Sequence, residues 1–427
     1  MVRNFILLFL ALRAADLLNL AGGLYLVPRF VSHEDLGAVL PLTTFATFVA
    51  IPLFAIAMTA LRESASLRAS GEHQQLRIFT RGVFAAVGIF AILTLAVTAA
   101  LLPHYLVRLH IDDSLAGYLV ITAAFLGCVS PVYIDQLQAA KRFGCAGSIE
   151  VSAAAVRLAV MAVIMPFRAL AGYFAGSVAK PLTQILGSLF ILASGRGIIA
   201  KCSETCPPYW TRTNLLRLAK TFFLLLPYLA LPILSSWMEN DLVRTLLKSE
   251  DSAGYYMATR ISDLMNYITY PILFVMFPYV TDKASRGESY QKTILRFTYI
   301  IICIAILGAV ITGSFGQKII ALLPNGENYV NYAEHLPMLF LFMGFGAAQS
   351  IITNGEVAAG RFLFLWWLIP LNIAYVILMP RFMKTPSLGQ LIATFMLFAL
   401  ARLTCAVVQS KFSRTADASS DSDKNVR

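Results

Sequence analysis

VPRFVSHEDLGAVLPLTTF, residues 27–45, places a charged turn and a glycine between two apolar runs. A similar turn recurs in the second half of the chain as LLKSEDSAGYYMATRISDL, residues 246–264. The two turns align at a shift of about 217 residues, since Gly37 then meets Gly254. This recurrence suggests that one hairpin is used once in each half.

Two further landmarks repeat at a shift of 219 residues, so the turn needs only a small insertion or deletion to join them. Pro52 aligns with Pro271, and VYIDQLQAAKRF (132–143) aligns with IITNGEVAAGRF (351–362). Three landmarks at nearly one offset, about half the chain, predict an internal duplication.

The composition excludes a water-soluble globular protein. Of the 427 residues, 58% are hydrophobic and only 13% are charged. The mean hydropathy is +0.71. Soluble proteins have about 45–50% apolar and about 25% charged residues. The chain is therefore predicted to be an all-α integral membrane protein.

Apolar stretches of about 20 residues, the length that a helix needs to cross a bilayer, recur along the sequence. The first continues past Arg13 and Asp16, so we expect a helix there and not a cleaved signal peptide. Twelve spans are predicted, near 5–28, 37–61, 82–102, 115–138, 147–166, 169–195, 218–240, 253–281, 297–316, 334–358, 362–380 and 388–410.

The distribution of cations predicts the orientation. With both termini cytoplasmic, that side holds 21 of the 34 Lys and Arg residues, the outer side holds 8, and five lie within spans. This bias obeys the positive-inside rule and places a multi-pass protein in the cell (inner or cytoplasmic) membrane. The net charge of +11 then faces anionic membrane lipids, so no nucleic-acid partner is expected.

The domain organisation follows from the longest polar break. We predict an N-terminal six-helix lobe over 1–200, a cytoplasmic linker over 201–214, a C-terminal six-helix lobe over 215–411 and a disordered cytoplasmic tail over 412–427. Because each lobe has an even number of spans, the repeats share one orientation. They should be related by a pseudo-two-fold axis along the membrane normal, with a cavity between them suited to alternating access.

Charges within the hydrocarbon tend to face a partner or a wet cavity, so the cations within spans are the candidate substrate-binding residues. Arg13 precedes Asp16 by three residues, and Arg260 precedes Asp263 likewise, which places each pair on one helical face. Each pair could simply neutralise itself for insertion, or the two arginines, one per half, could line the central cavity and share an anionic ligand.

The remaining intramembrane cations have weaker local pairing. Arg157 has no acid within one turn, and Glu150, two turns back, is the one candidate on its helix. Lys180 precedes a proline that should kink the sixth span, although its side chain could instead extend to an interface. Arg402 lies near the cytoplasmic end, where extension to the interface is expected.

The deeper acids are candidates for coupling a proton or sodium ion to transport; they are Asp16, Asp135, Glu150 and Asp263. Glu239 and Asp241 lie at the outer end of the seventh span. They either mark where that helix meets water or couple protonation to gating.

The sequence offers little for catalysis, cofactors or metals. The five histidines fall in loops or at span ends, and no HExxH pair or Ser/His/Asp grouping occurs. The six cysteines are scattered and are predicted to be free thiols. We therefore expect no enzyme activity, no cofactor and no metal, and any transport to be secondary or dependent on another protein.

Two stretches carry a family resemblance. LVPRFVSHEDLGAVLPLTTFATFVAIPL (26–53), with the basic loop RESASLRASGE (62–72), resembles the first helical hairpin of Wzx-type polysaccharide exporters. Leu36-Gly37 keeps part of that family's R-x-L-G-x-x-x-Y-G turn, without the aromatic residue. In the stretch 239–288, Asp241 is followed by Ala253-Gly254-Tyr255 in place of the family's E-A-G-x-Y.

The resemblance covers the whole chain and implies a rocker-switch transporter of the MATE-like MOP superfamily, which also contains MATE drug antiporters and lipid II flippases. It implies a flippase that moves a polyprenyl-pyrophosphate-linked oligosaccharide to the outer (periplasmic) leaflet for surface polysaccharide biosynthesis. Arg13, Arg157, Lys180 and Arg260 would contact the headgroup. The expected partners are that lipid, membrane lipids and other polysaccharide assembly proteins, with a monomeric transport unit.

Two alternatives stay open. The first is a MATE-type cation or drug antiporter that uses Asp16 as its coupling acid. The second is a non-transporting membrane component of a polysaccharide assembly complex.

Overall fold

A computed structural model describes residues 2–69, 72–111, 113–139, 142–193, 209–285 and 288–424. For some residues within these ranges, Asp135 and 411–424 among them, only the backbone is described. The described chain divides into two compact units, Met1–Thr245 and Leu246–Arg427.

The described residues of the first unit form eight α-helices. They are α1 (Val2–Ala21), α2 (Val27–Phe30), α3 (His33–Ala69), α4 (His73–Arg108), α5 (Ser114–Ala139), α6 (Phe143–Ile164), α7 (Ala169–Ala193) and α8 (Arg212–Leu246). A π-helical turn, Gly22–Leu26, joins α1 to α2. Helix α6 packs closely against both α1 and α7.

In the second unit, the part of the chain that the structure describes forms six α-helices and one 3-10 segment. The helices are α9 (Ser249–Ser262), α10 (Leu264–Ser285), α11 (Gln291–Ala321), α12 (Leu336–Ala358), α13 (Leu365–Phe382) and α14 (Leu388–Lys424). The 3-10 segment, Gly326–His335, precedes α12. Helix α12 packs against α11 and α14.

Eleven helical segments in the described part of the chain are long and apolar enough to cross a membrane, which confirms a multi-pass protein. The predicted eighth span, 253–281, is not among them. It is divided at Asp263 between α9 and α10, and α9, with 14 residues, is too short to cross alone. The sequence did not show this break because both pieces are helical.

The charged turns begin helices, as their sequences predict. The backbone N–H of Asp35 donates to Ser32 Oγ at 3.1 Å, which satisfies one of the free donors at the start of α3. Helix α9 carries Glu250 and Asp251 in its first turn, where acids suit the helix dipole.

The end of the predicted linker and the start of α8 are bonded to α3 and α4. Tyr209 is 1% exposed and packs with Phe79 in a core shared by α3, α4 and α5. Its hydroxyl donates to the Glu63 carboxylate at 2.6 Å, and Arg217 of α8 pairs with the same carboxylate. Burial, together with that hydrogen bond and charge, raises the pKa of Tyr209, so its hydroxyl keeps its proton at physiological pH.

The two units differ from the predicted lobes in where α8 belongs. The predicted C-terminal lobe, 215–411, starts within α8, whereas the compact unit that contains α8 ends at Thr245. Side chains at both ends of α8 bond to α3 and α4, which explains the grouping. The lobes, as bodies that move in transport, stay a prediction.

The sequence also predicts a linker over 201–214 and a disordered tail over 412–427. Most of the linker, including Cys202 and Cys206, lies outside the described residues. The backbone of α14 continues to Lys424, whereas the composition predicts a disordered tail over 412–427. No glycine or proline occurs after Ser410, so no residue there breaks the helix.

Candidate functional site

One face of α1 carries a row of polar side chains. Arg13, Asp16 and Asn19 follow one another at three-residue spacing, which keeps them on the same side of the helix. Arg13 Nη2 lies 2.7 Å from Asp16 Oδ2, and the two side chains are 24% and 26% exposed. The predicted pair is therefore formed, so Arg13 has a carboxylate partner within its own helix.

Arg157 of α6 meets neutral groups instead. Its Nη1 donates to Asn19 Oδ1 at 2.9 Å, and its guanidinium carbon lies 5.6 Å from the centroid of the Tyr173 ring of α7. No carboxylate oxygen of the described residues lies within 4.0 Å of this guanidinium. Its Nε is buried without a hydrogen-bond partner. The positive charge of Arg157 is thus held in place without being neutralised.

Lys180 is the second cation of this kind. It lies near the middle of α7, about 16 Å from the helix start and about 20 Å from its end at 1.5 Å per residue. A lysine side chain is far shorter than either distance, so its ammonium lies away from both helix ends; its extension to an interface stays the alternative prediction. Its electrostatic neighbours are Glu150, Arg157 and Asp16, yet none of the described carboxylates lies within 4.0 Å of its ammonium.

Glu150 is bonded to α7 and not to Arg157. Gln184 Nε2 donates to Glu150 Oε1 at 2.9 Å, and Gln184 is 8% exposed. The sequence offers Glu150 as the partner of Arg157 because both lie on one helix, but the tertiary contact comes from the neighbouring helix. Glu150, Arg157 and Lys180, with Arg13 and Asp16, form a group that we call the α1–α6–α7 cluster. It holds three cations and two carboxylates.

Sequence reasoning missed two members of this arrangement, Asn19 and Gln184. Both are neutral, so a search for charges passes over them. The signal that could have found them is spacing, since Asn19 follows Asp16 by three residues and Gln184 follows Lys180 by four.

The second unit contains the equivalent pair. Arg260 Nη1 lies 2.9 Å from Asp263 Oδ2, and Asn266 Nδ2 donates to Asp263 Oδ1 at 3.2 Å. The guanidinium of Arg260 also lies 5.2 Å from the centroid of the Tyr256 ring. Arg260 and Asp263 thus neutralise each other where α9 meets α10.

Asp135 lies on α5, and its side chain is outside the described part of the structure. Arg402 is 6% exposed and lies over the Phe398 ring at 4.7 Å, so its predicted extension to the interface is wrong. The aromatic ring provides a buried environment that a guanidinium accepts more readily than hydrocarbon.

The C-terminal end of α8 is buried and bonded to α4. Glu239 and Asp241 are each 4% exposed, so the interpretation that they mark where the helix meets water is wrong. Arg108 Nη2 lies 2.5 Å from Asp241 Oδ2, and Arg244 Nη2 donates to the Leu109 carbonyl at 3.1 Å. These contacts fix α8 to the end of α4.

The described residues contain no group of three or more His, Cys, Asp or Glu side chains that could hold a metal ion. The four cysteines with described side chains, Cys128, Cys145, Cys303 and Cys405, are free thiols.

Comparison with solved structures identifies the fold. An inward-facing multidrug resistance MATE family transporter of the MOP superfamily matches with a TM-score of 0.68 at 15% identity, over 95% of each chain. A Vibrio cholerae MATE transporter, VcmN with the D35N substitution, matches with a TM-score of 0.67 at 12% identity, over 97% of this chain and 95% of that one. The chain has a MATE-like fold.

The lipid II flippase MurJ, in an inward closed conformation, shares this fold. It matches with a TM-score of 0.66 at 12% identity, over 95% of this chain and 87% of its own. No family model and no curated protein matches the sequence. At these identities the MATE-like fold is what the comparisons establish.

Proposed function

We propose that this protein is a flippase that moves a polyprenyl-pyrophosphate-linked oligosaccharide from the cytoplasmic to the outer leaflet by alternating access. One observation carries the proposal. Arg157 and Lys180 lie next to each other in the α1–α6–α7 cluster, and no described carboxylate lies within 4.0 Å of either.

Two cations that have no described carboxylate within 4.0 Å, inside a membrane protein, need a functional explanation. A cation at the centre of a transmembrane helix costs about 2.5–3.5 kcal/mol on insertion scales. A pyrophosphate supplies several anionic oxygens, and a guanidinium binds such oxygens with two parallel hydrogen bonds. The cost of holding both charges is offset when this ligand is bound.

The paired arginines have a secondary part in this proposal. Arg13 and Arg260 each form an ion pair with an aspartate at three-residue spacing. A guanidinium has five N–H donors, so an arginine that is paired in this way can also contact a phosphate oxygen. The acids Asp16, Glu150 and Asp263 remain candidates for ion coupling, as does Asp135.

The main alternative is a MATE-type antiporter for cationic drugs, which the shared fold keeps open. A cationic substrate favours a cavity with an excess of carboxylates. The α1–α6–α7 cluster has the opposite balance, with three cations against two carboxylates. The charge balance therefore favours an anionic cargo.

Transport in proteoliposomes tests the proposal. The probe is a fluorescent undecaprenyl-pyrophosphate-linked oligosaccharide, and its appearance in the outer leaflet is measured by quenching with a membrane-impermeant reductant. We expect Arg157→Gln and Lys180→Gln each to lower the flipping rate about tenfold or more, the loss of one charged hydrogen bond. The matched control is Arg168→Gln, an exposed arginine outside the cluster, which should stay within about twofold of wild type.

Two outcomes contradict the proposal. One is unchanged flipping by Arg157→Gln and Lys180→Gln at normal protein levels. The other is export of a cationic dye by the wild-type protein against a proton or sodium gradient, without flipping of the lipid, which would establish the antiporter.

A further inference from the structure

Asn19 occupies the position where a salt-bridge partner for Arg157 would be expected. Its Oδ1 accepts a hydrogen bond from Arg157 Nη1 at 2.9 Å, across the packed interface of α1 and α6. An aspartate has nearly the same shape and would place a carboxylate oxygen at the same point. The structure therefore has a site for an ion pair and fills it with a neutral amide.

Gln184 has the complementary effect on Lys180. Glu150 attracts the Lys180 ammonium, yet its Oε1 accepts a hydrogen bond from Gln184 Nε2 at 2.9 Å. Gln184 is buried, so this bond competes little with water. The carboxylate is held by α7 without forming an ion pair with the lysine beside it.

We infer that Asn19 and Gln184 are positioning residues that keep Arg157 and Lys180 available to an anionic ligand. Asn19 orients the guanidinium without neutralising it. Gln184 restrains Glu150, one of the carboxylates that attract the ammonium. This inference rests on the proposed function, since it assumes that the pyrophosphate of the cargo binds these two cations.

An internal carboxylate would compete directly with a bound pyrophosphate. A carboxylate adds the attraction between opposite charges to the hydrogen bond from the guanidinium, which a neutral amide does not supply. The internal ion pair also carries none of the entropy cost of binding a separate molecule. Asn19→Asp should therefore strengthen the contact between α1 and α6 and weaken ligand binding at the same time.

Two variants at position 19 separate this role from a purely structural one. The probe is undecaprenyl pyrophosphate in detergent, and its affinity is measured with the melting temperature of each variant. We expect Asn19→Asp to melt at or above the wild-type temperature and to lose affinity about tenfold or more, the effect of one charged contact. We expect Asn19→Ala to melt lower and to keep affinity within about threefold, because the charge of Arg157 stays free.

The inference is overturned if the affinities of the two variants have the opposite order. If Asn19→Asp binds like wild type while Asn19→Ala loses binding, then Asn19 acts only by holding the helices together. Arg157→Gln is the arm that distinguishes the two proposals. If this variant binds undecaprenyl pyrophosphate normally, the proposed function fails. If it loses binding while Asn19→Asp binds normally, only the inference about Asn19 fails.

Position 184 gives an independent test. Gln184→Leu releases Glu150, which can then pair with Lys180, so we expect a loss of affinity of about fivefold or more. The double variant Gln184→Leu with Glu150→Gln removes the competing carboxylate and should restore affinity to within about twofold of the Glu150→Gln variant. An equal loss in the single and double variants would contradict the role of Gln184.

Discussion

At the scale of single residues, the packing around Gly254 explains why the second charged turn contains a glycine. This glycine belongs to the second copy of the charged turn, and a Cβ built on it would lie 2.4 Å from two ring carbons of Tyr332. The Tyr332 hydroxyl donates to Asp251 Oδ1 at 3.0 Å, so the ring is held across the first turn of α9. A close approach between helix and ring, and not a special backbone conformation, requires glycine at this position.

Gly254→Ala should therefore destabilise the protein by about 1–3 kcal/mol, the usual cost of overpacking a core. The matched control is Gly346→Ala in α12, where an added Cβ meets nothing within 4 Å. Alanine is the better helix former, so the control should be neutral or stabilising by up to about 1 kcal/mol. Thermal unfolding of both purified variants measures the difference, and equal melting temperatures would contradict the packing argument.

Local spacing predicted the paired charges but not the unpaired ones. The pairs Arg13–Asp16 and Arg260–Asp263 follow from a three-residue spacing on one helix, which the sequence shows directly. The surroundings of Arg157 come from Asn19 and Tyr173 on two other helices, so no local pattern contains them. Asp241 is similar, because its burial depends on α4.

At the scale of the elements, α8 is joined to its neighbours by an ion pair near each end. Arg217 binds Glu63 of α3 near one end, and Asp241 binds Arg108 of α4 near the other. The two positions are separated by about 36 Å along the helix at 1.5 Å per residue, which exceeds the hydrocarbon thickness of a bilayer. Helix α8 is thus attached to the first unit at both ends.

The ion pair at the C-terminal end of α8 should respond unequally to loss of its two members. The Asp241 side chain is 6% exposed, whereas the Arg108 side chain is 57% exposed. Arg108→Gln leaves a buried carboxylate without its cation, which costs about 3 kcal/mol or more. Asp241→Asn leaves an arginine that water can solvate, so we expect a loss of about 1 kcal/mol.

Thermal unfolding of the two variants in the same detergent measures this asymmetry. Arg108→Gln should melt at the lower temperature. A lower melting temperature for Asp241→Asn would show that the carboxylate stabilises the end of α8 through other contacts, such as its interaction with the Tyr105 hydroxyl.

Most elements could be predicted from hydropathy because a membrane-spanning helix needs a long apolar run. The break between α9 and α10 could not, since Ser262 and Asp263 lie inside a continuous helical pattern and neither is a glycine or a proline. The grouping of α8 with the first unit depends on Tyr209, Arg217 and Asp241. Only tertiary structure shows where these side chains make contact.

At the scale of the whole molecule, the MATE-like fold does not identify the cargo. MATE multidrug transporters and the lipid II flippase MurJ share it, so substrate choice depends on the charges that each chain places among its helices. In this chain the α1–α6–α7 cluster has more cations than carboxylates, and two of the cations lack a carboxylate within 4.0 Å among the described residues. We propose that these two cations bind a pyrophosphate.

The most direct test is the equilibrium affinity of the purified protein for three lipids with the same polyprenyl chain, namely undecaprenyl pyrophosphate, undecaprenyl phosphate and undecaprenol. We expect the pyrophosphate to bind about tenfold more tightly than the phosphate and far more tightly than the alcohol, because each charged contact adds more than about 1.4 kcal/mol. In Arg157→Gln the preference for pyrophosphate over the alcohol should fall by at least about tenfold. Equal affinity of the wild-type protein for undecaprenyl pyrophosphate and undecaprenol would contradict the claim.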